Sequence, residues 1–155
     1  MSLFLSTYIN KIDRKGRVSV PSAFRAALTS QPTGGVIVFK SYTLPALEAY
    51  HRDRMQALSD SLDQLDLFSE NQEDLAAALF ADAQQLTWDP EGRIMIPDSF
   101  LAFAHLEDSV AFVGRGPTFQ LWNPQRFEKH QEEARARIRS KKITLKLPAK
   151  EGAPV

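Results

Sequence analysis

Apolar and polar positions alternate with a period of two in two short stretches of the chain, 18–20 and 94–96. Val18 and Val20, like Ile94 and Ile96, would face one side while Ser19 and Met95 face the other. Each stretch follows a tight turn at Gly16 or Gly92, where a glycine can take positive φ, and each turn follows a β-prone run, 3–12 or 84–88. Pro21 and Pro97 end the short strands. Ser22 and Asp98 are then N-caps for short helices carrying Phe24 and Leu28, or Phe100 and Leu101. A second apolar strand follows in each case, at 36–39 and 110–113.

Helical spacing appears next. Leu47, Met55, Leu58, Leu62 and Leu65 predict a helix from about Pro45 to Leu65, and Ser69 with Gln72 resembles a capping box opening a helix through Phe80. Asn123 followed by Pro124 predicts a capped, charged helix to about Ser140. From Lys141 periodicity fades.

These elements are duplicated. Asp13-Arg14-Lys15-Gly16-Arg17-Val18-Ser19-Val20-Pro21-Ser22-Ala23-Phe24 aligns without a gap on Asp89-Pro90-Glu91-Gly92-Arg93-Ile94-Met95-Ile96-Pro97-Asp98-Ser99-Phe100, with Asp, Gly, Arg, Pro and Phe coinciding. Leu47-Glu48-Ala49-Tyr50 likewise answers Phe119-Gln120-Leu121-Trp122. One such β unit cannot bury both faces of its strands, whereas two packed about a pseudo-twofold can close a small barrel. The predicted fold is therefore α+β: one barrel domain over 1–140, built from repeats at about 1–82 and 83–140, with helices at its periphery and a mobile basic tail over 141–155.

Composition narrows the chemistry. The 155 residues include no cysteine, which excludes disulfides, thiolate metal sites and cysteine nucleophiles. His51, His105 and His130 lack ligand spacing, so no metal or other cofactor is expected. No apolar run suits a membrane helix and no leader pattern stands at the start, giving a cytoplasmic expectation without membrane or small-molecule substrate. Trp88, Trp122, Tyr50 and the phenylalanines read as packing. Net charge is zero, yet its distribution is dipolar. Lys11, Arg14, Lys15, Arg17 and Arg25 make the start basic, the stretch from Asp53 to Asp82 is acidic, and the C-terminal part is basic again.

The duplicated Asp-x-x-Gly-Arg motif, with the strand, proline and short helix that follow each copy, resembles the repeat of the MraZ family, whose half-barrels are similar to those of AbrB-type regulators. The likeness spans about residues 4–133 and departs at Ser6, where the family commonly has Gly. It implies a swapped-hairpin, double-psi-like barrel, ring-shaped homo-oligomers, and nucleoid-associated binding to short G-rich repeats upstream of the division and cell-wall gene cluster that includes its own gene. It also implies transcriptional regulation and no catalysis.

The expected DNA-binding residues are Arg14, Lys15, Gly16 and Arg17, with Lys11 and Arg93 as further candidates. Arg17 or Arg14 suits guanine O6 and N7, and Lys15 suits phosphate. Asp13, Asp89 and Gly92 read as structural parts of the motif, each Asp orienting its Arg or capping the turn. Pro90 and Glu91 replace Arg14 and Lys15 in the second copy, so the first copy is expected to face DNA. The alternative is an AbrB-like, antitoxin-like module whose acidic helices bind a partner protein. No nucleophile–base pair or convergent carboxylate pair favours an enzyme.

Overall fold

A computed structural model describes residues 3–29 and 35–148, which fall into two compact units, 1–124 and 125–155. The first unit carries two runs of similar elements. One is β1 (Thr7–Lys11), β2 (Arg17–Ser19), α1 (Ser22–Leu28), β3 (Gly35–Lys40), β4 (Leu47–Tyr50), α2 (Arg52–Leu62) and α3 (Glu70–Leu79). The other is β5 (Gln84–Thr87), β6 (Arg93–Met95), α4 (Asp98–Phe103), β7 (Ser109–Gly114) and β8 (Phe119–Trp122). Helix α5 (Pro124–Lys141) makes up most of the described part of the second unit and buries none of its residues. Residues 143–148 have no regular structure, and the rest of the expected mobile tail lies outside the described residues.

Six strands form an antiparallel sheet in the order β1-β7-β8-β4-β3-β5. The first strand of each repeat is thus exchanged: β1 pairs with β7 of the second repeat, and β5 pairs with β3 of the first. At the centre β4 meets β8, where Glu48 lies opposite Gln120. That buried pair is hydrogen-bonded, Gln120 Nε2 donating to Glu48 Oε1 at 2.8 Å and Trp122 Nε1 donating to Gln120 Oε1 at 2.8 Å, as buried polar groups require.

The sheet is not closed into a barrel, contrary to expectation. Strands β2 and β6 pair with each other as a separate two-stranded ribbon, Val18 opposite Ile94. With only three residues each and a proline soon after, they are too short to ladder onto an edge of the large sheet as well. Asn10 Nδ2 bridges the gap instead, donating to the Ser19 carbonyl at 2.7 Å.

The alternation is as expected: Val18, Val20, Ile94 and Ile96 are buried, and Ser19 and Met95 are exposed. They join Phe4, Phe24, Leu28, Phe100, Phe112 and Phe119 in one core. The ring of Phe24 lies 4.7 Å from that of Phe119 and edge-on to Phe4 at 5.3 Å.

Three local expectations change. Leu47 belongs to strand β4, not to a helix from Pro45, because its side chain is fully buried opposite Leu121; the helix begins only at Arg52, where His51 Nδ1 accepts from the Asp53 N–H at 3.0 Å. Ser22 and Asp98 are the first helical residues and not caps. Pro21 and Pro97 take the cap position, since their fixed φ joins an extended strand to a helix, and their carbonyls accept from Phe24 N and Phe100 N at 2.9 Å each. Ser69, by contrast, does cap α3, its Oγ accepting from Gln72 N at 3.1 Å.

Ser6 stands in a backbone conformation that favours glycine. Its φ is 75°, the left-handed region, and its carbonyl accepts from Gly114 N at 2.8 Å where the chain bends into β1. A Cβ there costs about 1–2 kcal/mol, of which the extra freedom of an unfolded glycine would offset about 0.5–1. Ser6→Gly is expected to stabilise the protein by roughly 0.5–1 kcal/mol in urea unfolding, and Ser6→Val to destabilise it.

Candidate nucleic-acid interface

Each Asp-x-x-Gly-Arg segment folds as a turn organised by its aspartate. Asp13 Oδ1 accepts from the main-chain N–H of Lys15 and of Arg17, both at 2.9 Å, and the Asp13 carbonyl accepts from Gly16 N at 3.0 Å. Asp89 repeats this with Glu91 N at 2.9 Å, Arg93 N at 3.0 Å and Gly92 N at 2.9 Å. Gly16 and Gly92 stand at φ 81° and 79°, so each turn requires its glycine. Each glycine carbonyl then reaches across: Gly92 O accepts from Val20 N at 2.9 Å and Gly16 O from Ile96 N at 3.0 Å.

The other oxygen of each aspartate holds the arginine. Arg17 Nε donates to Asp13 Oδ2 at 2.7 Å, and Arg93 Nε to Asp89 Oδ2 at 3.0 Å. The two expected roles of Asp, turn cap and arginine orienter, are therefore filled by the two oxygens of one carboxylate. Both carboxyls lie below their ordinary pKa. The main-chain N–H of the arginine is the chief cause; desolvation opposes it, and the arginine side chain adds to it.

Because Val18 and Ile94 point into the core, Arg17, Ser19, Arg93 and Met95 share the outer face of the ribbon, with Arg17 opposite Met95 and Arg93 opposite Ser19. The two arginines are diagonal neighbours, about 7–8 Å apart in main-chain position. They differ in freedom. Among the described residues only Nε of the Arg17 guanidinium has a protein partner, whereas Arg93 Nη2 also meets Glu91 Oε2 at 3.2 Å.

Arg14 and Lys15 are exposed at the tip of the first turn. Lys11, also exposed, ends β1 opposite Ser109, on the edge of the large sheet. Two features went unseen in the sequence. Asp98, Glu107 and Asp108 line the cleft beside the first turn, together with Leu101. Arg25 from α1 lines the cleft at the second turn with Trp88, Pro90 and Glu91, and its guanidinium lies over Gly92, where any Cβ would collide with it. Arg25 and Leu101 are the first positions after the aligned Phe24 and Phe100, so extending the repeat by one residue would have paired them. No cluster of three metal-ligating side chains occurs among the described residues, and none of the described helices is long and apolar enough to cross a membrane.

Residues 79–147 match the family model for MraZ protein, described as antitoxin-like. The chain is 48% identical to the transcriptional regulator MraZ of Gluconacetobacter diazotrophicus, over 96% of this chain and 94% of that one. It is 42% identical to the protein of that name from Pelagibacter ubique, over 93% of each chain. With the one from Rickettsia canadensis the identity is 38%, over 94% of this chain and 98% of the relative.

The lowered aspartate pKa values set a direction for acid stability. A carboxyl more acidic in the folded state stabilises above its unfolded value, about 3.9, and that contribution is lost as pH falls through the folded value. The free energy of unfolding is expected to drop on acidification below about pH 4. In the double variant Asp13→Asn, Asp89→Asn the drop should be shallower in denaturant titrations across that range; parallel curves would refute the assignment.

Proposed function

Because the chain belongs to the MraZ family, we propose that it is a sequence-specific DNA-binding regulator of transcription that reads duplex DNA with the outer face of the β2–β6 ribbon. The observation that carries this reading is the pair of arginines on that face, each held at Nε by its own aspartate. A two-stranded ribbon fits the major groove, and an arginine held on one side presents its terminal nitrogens in a set direction. Arg17 reads guanine, with Arg14 beside it. Lys15 and the Gly16 main chain contact phosphate, and Lys11 and Arg93 are flanking contributors.

The target is tandem G-rich repeats upstream of the division and cell-wall cluster that includes its own gene, met in the cytoplasm at the nucleoid. One ribbon offers few contacts, so affinity comes from a ring-shaped homo-oligomer engaging several repeats. Leu5 and Ile9, 60% and 61% exposed along the β1 edge, support self-association. The pseudo-twofold assembly of repeats 1–82 and 83–140 acts as one functional domain, with 141–155 as its basic tail. A second reading is favoured by Leu67 and Phe68, 71% and 99% exposed between the acidic helices α2 and α3: this arm docks a partner protein.

Binding to duplexes with tandem G-rich repeats and to scrambled duplexes, at two salt concentrations, tests the reading. Arg17→Ala is expected to reduce discrimination by roughly 1–3 kcal/mol per lost bidentate contact. Lys15→Glu should weaken both duplexes alike and flatten the salt dependence. Equal wild-type affinity for both duplexes would sink sequence-specific reading. Abolition by Glu91→Lys with Lys15→Glu silent would move the site to the second repeat.

A further inference from the structure

The second turn, judged by its own residues, repels phosphate: Asp89 and Glu91 outweigh Arg93 by one negative charge. Three observations alter that balance. Glu91 is drawn back onto Arg93 Nη2 at 3.2 Å, and Asp89 spends both oxygens on the turn and on Arg93 Nε. Arg25 then arrives from the first repeat and lays its guanidinium over Gly92, beside Pro90 and Glu91. It makes no ion pair with a carboxylate within 4.0 Å among the described residues, so its charge is not consumed by the fold. The corresponding position over the first turn is held by an apolar side chain, Leu101, whose Cδ1 lies 3.8 Å from where a Cβ on Gly16 would be.

From this geometry we propose that Arg25 is a DNA-phosphate-binding residue that acts across the repeats, supplying to the second turn the cation that Arg14 and Lys15 supply to the first. The inference rests on the DNA-binding reading above and extends it: both turns contact the backbone, one with its own side chains and the other with a borrowed one. Gly92 is doubly required, for its positive φ and because the space of its missing side chain seats the guanidinium. The contact positions the protein and carries no base information, since a phosphate is the same at every step of the duplex.

The test measures binding of the full chain to a G-rich repeat duplex and to its scrambled counterpart by fluorescence anisotropy over a salt series. Arg25→Leu copies the residue at the matching position of the other repeat; Arg25→Gln keeps length and polarity should the leucine variant fail to fold, with thermal melting as the check. Either folded variant is expected to bind both duplexes several-fold more weakly, by the same factor, and to reduce the slope of log affinity against log salt by about one per engaged subunit. Arg25→Lys should retain most of that slope. Wild-type affinity and slope in Arg25→Gln, with Arg17→Ala still impaired, would overturn the role of Arg25 and leave the DNA reading standing. No salt-dependent binding by the wild type would overturn both.

Discussion

Two main-chain hydrogen bonds tie the repeats together beside the ribbon: Gly92 O accepts from Val20 N, and Gly16 O accepts from Ile96 N. Each turn is thus anchored on the strand end of the other repeat. Among the described strands β2 pairs only with β6, so the ribbon takes one strand from each repeat. The same dependence runs through the large sheet, where β1 and β5 each complete the partner repeat. Backbone polar groups removed from water must be paired, and here the pairing of β2 with β6 and the two glycine carbonyl bonds cross from one repeat to the other.

That constraint leaves little of the turn free to vary. The aspartate, glycine and arginine are each held by a specific bond or dihedral angle, whereas of the two residues between aspartate and glycine only Glu91 adds a side-chain ion pair, to Arg93. Those two positions hold Arg14 and Lys15 in one copy and Pro90 and Glu91 in the other. Duplication therefore supplies two similar turns whose tips carry opposite charge. Exchange of elements also lets the short helix after each ribbon strand address the opposite turn, which is how Arg25 and Leu101 come to lie over Gly92 and Gly16.

Burial is shared in the same way. Phe4 and Phe24 of the first repeat pack on Phe119 of the second, and Glu48 of β4 is satisfied by Gln120 of β8. A buried carboxylate with a hydrogen-bonding partner on the facing strand favours one register of β4 on β8, since a slip by one residue would leave both polar groups unpaired. The centre of the sheet and the ribbon are thus specified by separate interactions that agree on one arrangement.

Short-range features were legible in the chain itself. Period-two alternation placed Val18, Val20, Ile94 and Ile96 in the core, the gap-free repeat marked both turns, and the aspartate four residues before each arginine indicated their contact. These depend on residues close in sequence, where spacing and dihedral preference dictate geometry. The open sheet and separate ribbon, Leu47 in a strand, the acidic rim at the first turn and the passage of Arg25 to the second were decided by tertiary structure. Each depends on which distant segment meets which. Local periodicity does not encode that choice, because the same alternating strand can pair with any edge offering matched hydrogen bonds and an apolar face.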